Sequence, residues 1–377
     1  MFLGVIWKAE FASGSSNRER FSSSDLVKRE RPPWRTDCSC RLGKTGRILT
    51  ASSPRCEIIL FLGQPTELKA LVRTSRIAVF DEAQTIQDIG AILKAFIDTY
   101  PETQIIATGS SSFDLANKIN EPLTGRAFEF TLHPLSLSEI RNAIPDFSLS
   151  SLYELLRLGS YPAVVAEKDV RTKEDLLKNL ATNYLYKDVY TYESIKNPRI
   201  FESLIKLLAF QIGSLVSVNE LAQSLGISRA TVEKYLRLLE QSYIIKIVRP
   251  FSRNQRNEIK KAFKVYFLDV GVRNAVIGDV SALPERADRG FIFENFFAAE
   301  RLKTLSLETF SPPLMFWRTR SGDEVDFVEA QGDSMRAYEC KWSDTDGARF
   351  AAFSRMYPQA KTIFVSPENL LASPHEK

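Results

Sequence analysis

Histidine is nearly missing from this chain. Two occur in 377 residues, His133 and His375. They are too few and too far apart in sequence to carry a metal-binding or catalytic role. Cysteine is also scarce: Cys38, Cys40 and Cys56 fall in the first 65 residues, and Cys340 stands alone. The Cys38-x-Cys40 spacing is too close for a structural metal pair and has no second pair nearby. Free thiols are expected, with no disulfide framework. No apolar run approaches the ~18 residues of a membrane span. The opening Met-Phe-Leu-Gly-Val-Ile-Trp is apolar for seven residues and then meets Lys8 and Glu10. A signal peptide carries its positive charge ahead of the apolar run, so the chain is expected to be cytoplasmic. No internal repeat is present.

The rest of the composition is that of ordinary globular protein, 44% apolar and 25% charged. The length suggests two or three domains. The net charge of +4 is uneven. Residues 1–65 hold eleven Lys or Arg against six Asp or Glu, with nine serines, so the remainder is near −1. That first stretch has little periodicity, and Arg-Glu-Arg-Pro-Pro-Trp-Arg reads as irregular chain; only Glu57–Leu62 looks like a strand. From about Thr66 the pattern changes. Strands are expected at Ile77–Phe80, Gln104–Thr108 and Phe128–Leu132, with helical segments at Glu67–Val72, Ile89–Tyr100 and Ser112–Lys118. Such alternation predicts a parallel sheet covered on both faces.

Beyond a helical, aromatic-rich stretch at Ser151–Tyr192, a different unit begins at Phe201–Phe210. Ser217-Val-Asn-Glu220 is a capping box. Gly226-Ile-Ser228 makes a turn, and Ser228 starts a helix through Leu239. Two strands follow, Tyr243–Val248 and Ala262–Leu268. This order is that of a winged helix-turn-helix. Its hairpin loop, Lys246–Lys264, holds seven Lys or Arg and one Glu. The last region opens with the apolar helix Gly290-Phe-Ile-Phe-Glu294. Strands are expected at Leu314–Trp317, Glu324–Ala330, Met335–Cys340 and Thr362–Val365, with a helix at Arg349–Met356. The short link Gln331–Ser334 makes the middle pair a hairpin.

Three constellations could carry chemistry. The first is Asp81-Glu82, at the end of an apolar strand, beside a second strand whose end is polar from Thr108 to Ser111. In a P-loop ATPase the first carboxylate holds Mg²⁺ and the second orients the attacking water. Ser110 and its neighbours could sense the γ-phosphate, and Arg126 is a candidate arginine finger. A solvated acidic turn and a surface arginine are the plainer readings. The phosphate loop of this class reads G-x-x-x-x-G-K-[ST] between a strand and a helix. The chain offers Gly43-Lys44-Thr45, but Cys38 stands at the first glycine position and no buried strand precedes it.

Residues 66–377, about four-fifths of the chain, resemble the bacterial and archaeal AAA-type ATPases whose C-terminal half is a domain of unknown function. The resemblance is carried by Asp-Glu-Ala-Gln (81–84), Ile-Ile-Ala-Thr-Gly-Ser-Ser-Ser-Phe-Asp-Leu-Ala (105–116), Asn-Glu-Pro-Leu-Thr-Gly-Arg (120–126), Pro-Leu-Ser (134–136), Lys264-Val-Tyr-Phe-Leu-Asp-Val-Gly271 and Glu339-Cys-Lys341. It implies ATP and Mg²⁺ as cofactors, with Asp81 and Glu82 as the Walker B pair, nucleotide contacts from Gly43, Lys44 and Thr45, and metal contacts from Asp81 and Thr45. Residues 1–60 depart from the family pattern, and Lys44 lies only 37 positions before Asp81. Their cysteine, serine and arginine content is that of a segment out of frame.

The second constellation is C-terminal. Strand period two puts Glu339 and Lys341 on one face, and Asp326 can join them across the hairpin. Two carboxylates and a lysine suit metal-assisted phosphodiester hydrolysis, with Glu294, Asp326 and Glu339 around the metal. This resembles the PD-(D/E)XK nuclease pattern; a charged sheet rim is the plainer reading. Cys340 alternates with Glu339 and Lys341 and is expected in the core. The third is the helix-turn-helix, where Ser228, Arg229, Thr231, Glu233 and Lys234 could face DNA and the basic hairpin could reach phosphates.

The expected fold class is α/β: a P-loop-type parallel sheet with a helical lid, a winged helix-turn-helix and a C-terminal nuclease-like α/β domain. The expected division is an atypical segment with a degenerate P-loop (1–65), ATPase core (66–150), helical lid (151–200), winged helix-turn-helix (201–275) and nuclease-like domain (285–377). The expected function is an AAA-type ATPase coupled to an unidentified macromolecular event, with DNA as a candidate, and with nucleotide binding impaired in this copy. Two alternatives stand beside it: a non-catalytic DNA-binding or interaction protein, and a Mg²⁺-dependent nuclease acting through Asp326, Glu339 and Lys341. DNA and further copies of the same chain are the expected partners, and no membrane.

Overall fold

A computed structural model describes residues 2–6, 39–42, 46–50, 66, 69, 72, 76–83, 86–109, 127–182, 195, 197–251, 263–308, 311–343 and 350–372. The chain divides into two compact units, 1–132 and 133–377. No helix among the described residues is long and apolar enough to cross a membrane.

The first unit is a six-stranded sheet. Its strands are β1 (Phe2–Ile6), β2 (Ser39–Leu42), β3 (Gly46–Thr50), β4 (Ile77–Asp81), β5 (Gln104–Gly109) and β6 (Phe128–Thr131), in the spatial order β2-β3-β4-β5-β1-β6. β3, β4 and β5 run parallel, with Thr50 opposite Asp81 and Phe80 opposite Ala107. Parallel strands need a crossover; between β4 and β5 it is α1 (Ile89–Thr99). Apolar residues at helical spacing turn Ile89, Leu93, Phe96 and Ile97 inward, and all are buried with Ala78, Phe80, Ile105 and Ala107. At roughly 1.5–3 kcal/mol per large apolar side chain removed from water, this layer fixes the ends of β4 and β5. β1 lies between β5 and β6 and runs antiparallel to both.

The second unit begins with α2 (Leu137–Ala143), α3 (Leu149–Leu158), α4 (Pro162–Ala166), α5 (Val170–Thr182) and α6 (Pro198–Phe210). After the short β7 (Leu215–Val216) come α7 (Val218–Leu225) and α8 (Arg229–Gln241). Ser217 accepts the Glu220 N–H and Ser228 the Thr231 N–H, so both serines cap where the sequence placed them. β8 (Ile245–Pro250) and β9 (Phe263–Phe267) form the hairpin, followed by α9 (Val270–Ile277) and α10 (Arg289–Leu305). The chain then folds as β10 (Leu314–Arg318), β11 (Glu324–Gln331), β12 (Ser334–Cys340), α11 (Ala351–Met356), β13 (Lys361–Val365) and α12 (Pro367–Ala372).

Elements read as two separate domains from sequence share one sheet. Its order is β13-β12-β11-β10-β8-β9-β7. The junction is a short parallel pairing of β8 with β10, Arg249 opposite Met315 and Pro250 opposite Phe316. One apolar core runs through α3, α6, α8, β9, α10 and β11. α9 sits at its centre. A Cβ on Gly271 would lie 2.2 Å from the Leu158 carbonyl oxygen, so only glycine allows this close passage of α9 against the end of α3. Buried Asn274 donates to the carbonyls of Leu156 and Arg157, satisfying two carbonyls that the end of α3 leaves open.

Candidate functional site

In the first unit the candidate nucleotide edge is where β4 and β5 end. Asp81 closes β4, and Thr108 is buried near the end of β5. The Thr108 hydroxyl donates to Asp81 Oδ1 at 2.6 Å and accepts the Glu82 backbone N–H at 3.3 Å. Glu82 has φ of 55°, a left-handed conformation that costs a non-glycine residue on the order of 1–3 kcal/mol. Asp81 and Glu82 are both half-buried. Two carboxylates therefore stand at the carboxyl edge of parallel strands, the edge where α/β sheets bind ligands, and the backbone between them is turned and pinned by a neighbouring strand.

The phosphate side of the edge is built differently. A phosphate cradle is a loop of backbone N–H groups between a strand and a helix, at that same carboxyl edge. β1 is the strand beside β5, but Phe2 pairs with Gly109 and Ile6 with Ile105. The chain therefore leaves β1 at the edge away from Asp81. Gly43, Lys44, Thr45, Ser110 and Arg126 lie outside the described residues. The residues flanking the first three are described: Leu42 pairs with Gly46, and Gly46 pairs with Ile77, at the start of β4. Both flanks again sit away from Asp81. The described strands do not bring a strand–loop–helix cradle to these two carboxylates.

The second unit gathers Glu294, Asp326, Glu339 and Lys341, as the sequence suggested, and adds residues that it did not. Lys341 Nζ lies 2.9 Å from Glu339 Oε1. Asp326 Oδ2 accepts the Cys340 backbone N–H at 2.8 Å. Lys264, counted in the sequence with the basic hairpin loop, is instead 2% exposed. Its ammonium lies 2.6 Å from Glu324 Oε1, 3.2 Å from Glu294 Oε1 and 4.0 Å from Asp326 Oδ1. Tyr266, on the same face of β9, donates to Glu294 Oε1 at 2.5 Å. The missed signal was alternation: Phe-Lys-Val-Tyr-Phe places Lys264 and Tyr266 together. Among the described residues, no group of three or more His, Cys, Asp or Glu side chains is spaced to hold a metal ion.

Electrostatics follow from burial. Burial, then the charges on Glu294 and Glu339, push the Asp326 carboxyl well above the ordinary range. Burial opposes the Lys264 ammonium, yet Glu294, Asp326 and Glu324 together outweigh it and raise its pKa. Burial and Glu294 also raise the Tyr266 phenol, which keeps the proton it donates. Cys340 is a buried free thiol, raised by burial and the neighbouring carboxylates.

Val232, Tyr235, Leu236 and Leu239 of α8 face the core, while Arg229, Glu233, Lys234 and Arg237 are exposed. Ser228 and Thr231 bond to each other at its start, 2.9 Å apart. Residues 252–262 of the basic hairpin lie outside the described residues.

Comparison with known proteins finds three matching family models. Residues 51–141 match the AAA domain, residues 149–282 a domain of unknown function (DUF8612), and residues 289–372 a further domain of unknown function (DUF4143). The AAA match begins after Gly43-Lys44-Thr45. An uncharacterized protein of Mycobacterium tuberculosis is 28% identical over 306 residues, 77% of this chain and 66% of the relative. One of Haemophilus influenzae is 28% identical over 214 residues, 54% of this chain and 53% of the relative. One of Methanocaldococcus jannaschii is 24% identical over 285 residues, 71% of this chain and 61% of the relative. The chain thus spans between about half and two thirds of the length of these relatives. No solved structure matches it. The AAA match together with the C-terminal match makes the chain similar, over those segments, to AAA-type ATPases.

Proposed function

We propose that this chain is an AAA-type ATPase relative that keeps the carboxylate half of a nucleotide site and has lost micromolar ATP binding in its present N-terminal segment. Bound Mg²⁺-ATP supplies the phosphoryl group that such a site hydrolyses. In this reading Asp81 holds the metal, Glu82 orients the attacking water, and Thr108 fixes the angle between them. Gly43, Lys44 and Thr45 would have to supply the phosphate contacts, with Ser110 and Arg126 completing the site. The observation that carries the loss is the direction of β1: it runs antiparallel to β5, so no loop leaves it beside Asp81. Titration calorimetry with ATP and Mg²⁺ on the full chain tests this. No saturable heat in the micromolar range is expected. Micromolar binding that disappears in Lys44→Ala would overturn it and establish a cradle at Gly43–Thr45.

A second reading, contact with DNA, is favoured by the exposed polar face of α8, with Ser228, Arg229, Thr231, Glu233 and Lys234 at or near its start. Each lysine or arginine that neutralises a phosphate adds about 0.9 to the salt slope of binding. Fluorescence anisotropy on duplex DNA should show weaker binding and a shallower salt slope in Arg229→Ala/Lys234→Ala. Identical curves for that variant and the parent would remove α8 from the interface. Metal-dependent cleavage through Asp326, Glu339 and Lys341 is not part of either reading, because Lys264 stands among the carboxylates.

A further inference from the structure

The C-terminal carboxylates have the chain order of a metal nuclease but not its vacancy. A magnesium or manganese ion needs oxygen ligands at roughly 2.0–2.5 Å and open lone pairs to receive it. Here at least one oxygen of each carboxylate is already engaged. Glu294 Oε1 accepts from both Tyr266 and Lys264. Glu324 Oε1 lies against Lys264, Glu339 Oε1 against Lys341, and Asp326 Oδ2 takes the Cys340 N–H. The cation at the centre of Glu294, Glu324 and Asp326 is the Lys264 ammonium itself.

We propose that Lys264 is a built-in counter-cation that takes the place of a divalent metal, so that this cluster locks β9 to α10 and β11 instead of cleaving phosphodiesters. Three features make the lysine a fixture. Its side chain is almost wholly buried, and its ammonium lies 5.6 Å from the centre of the Phe316 ring. Strand alternation gives Lys264 and Tyr266 one shared target, Glu294, which is itself held in the middle of α10. Lys264 also comes from a strand three places away from β11 in the sheet, so the ion pairs bridge β9 to a strand with which it shares no ladder. A divalent ion entering the cluster would meet the ammonium at close range, and the two cations repel. The chemistry of metal-dependent hydrolysis is therefore excluded by a side chain of the protein.

The test is Mn²⁺ binding to the full chain, followed by the electron paramagnetic resonance of free Mn²⁺. The wild-type chain is expected to show no Mn²⁺ site that depends on Asp326. Lys264→Met keeps the length of the side chain and removes the charge. With the ammonium gone the carboxylates that it spaces can close on an ion, and the variant is expected to gain a Mn²⁺ site at least about tenfold tighter than any wild-type binding, lost again in Lys264→Met/Asp326→Asn and competed by Mg²⁺. A Lys264→Met chain that is folded by circular dichroism and gains no site would overturn the proposal. So would wild-type Mn²⁺ binding that vanishes in Asp326→Asn, and this arm needs no Lys264 variant to fold.

Discussion

Thr108 donates its hydroxyl to Asp81 from the neighbouring strand, 2.6 Å away, and takes the N–H of Glu82 in return. A single buried side chain thus sets the position of one carboxylate and the backbone turn that carries the next. Replacing Thr108 by valine keeps the shape and removes both bonds. The expected loss is about 1–2 kcal/mol, read by urea unfolding, with Thr108→Ser recovering most of it. Equal stability of Thr108→Val and the parent would mean that Asp81 and Glu82 are held by other contacts.

Gly271 should be intolerant for a purely steric reason. Its missing side chain would lie 2.2 Å from the Leu158 carbonyl oxygen and 2.7 Å from the Gly159 nitrogen, both backbone atoms that cannot rotate away. Gly271→Ala is expected to cost at least 1–3 kcal/mol, the usual range for overpacking, in a denaturant unfolding curve. A neutral Gly271→Ala would mean that α9 shifts freely against α3.

His133 gives the pH dependence a direction. Burial, then the Lys303 ammonium, lower its pKa from 6.5 to about 4. The folded form therefore holds the neutral ring where the unfolded chain would protonate. Its contribution is fully present above pH 6.5 and is lost as pH falls from there toward 4. After allowance for the partial exposure of the ring, the loss is on the order of 1–3 kcal/mol. Stability measured at pH 7 and pH 4.5 should converge in His133→Gln relative to the parent. An unchanged difference would assign the acid sensitivity to other groups.

The first 60 residues make a prediction about the gene. If they are out of frame with the AAA-type remainder, one of the other two reading frames of the same DNA encodes a buried strand, a complete glycine loop ending in Gly-Lys-Thr, and a helix. A chain carrying that segment should bind ATP with micromolar affinity in the calorimeter. Absence of a glycine loop in both frames would make the present segment the native one.

Legibility from sequence followed the range of the forces involved. β4 and β5 were readable because a strand buried on both faces is a continuous apolar run bounded by polar ends, as in Ile-Ala-Val-Phe before Asp81. The caps at Ser217 and Ser228 were readable because a cap involves residues three apart. The pairing of β8 with β10 was not, since the partners are more than 60 residues apart and neither strand advertises a parallel neighbour. α9 gave no amphipathic pattern because Val270, Val272, Arg273, Asn274 and Val276 are all buried, leaving no polar face to set a period. Lys264 was misjudged because charge in a strand next to a basic loop looks like solvated charge. Only the fold shows that three carboxylates, Glu294, Glu324 and Asp326, surround it from other elements.

The parallel junction of Arg249 with Met315 and Pro250 with Phe316 has a mechanical consequence. It removes the flexible joint that a helix-turn-helix on its own stalk would possess. The hairpin that follows α8 and the strands from β10 to β13 belong to one sheet and are expected to move together. A displacement of β8 is then passed to β10 through the shared ladder.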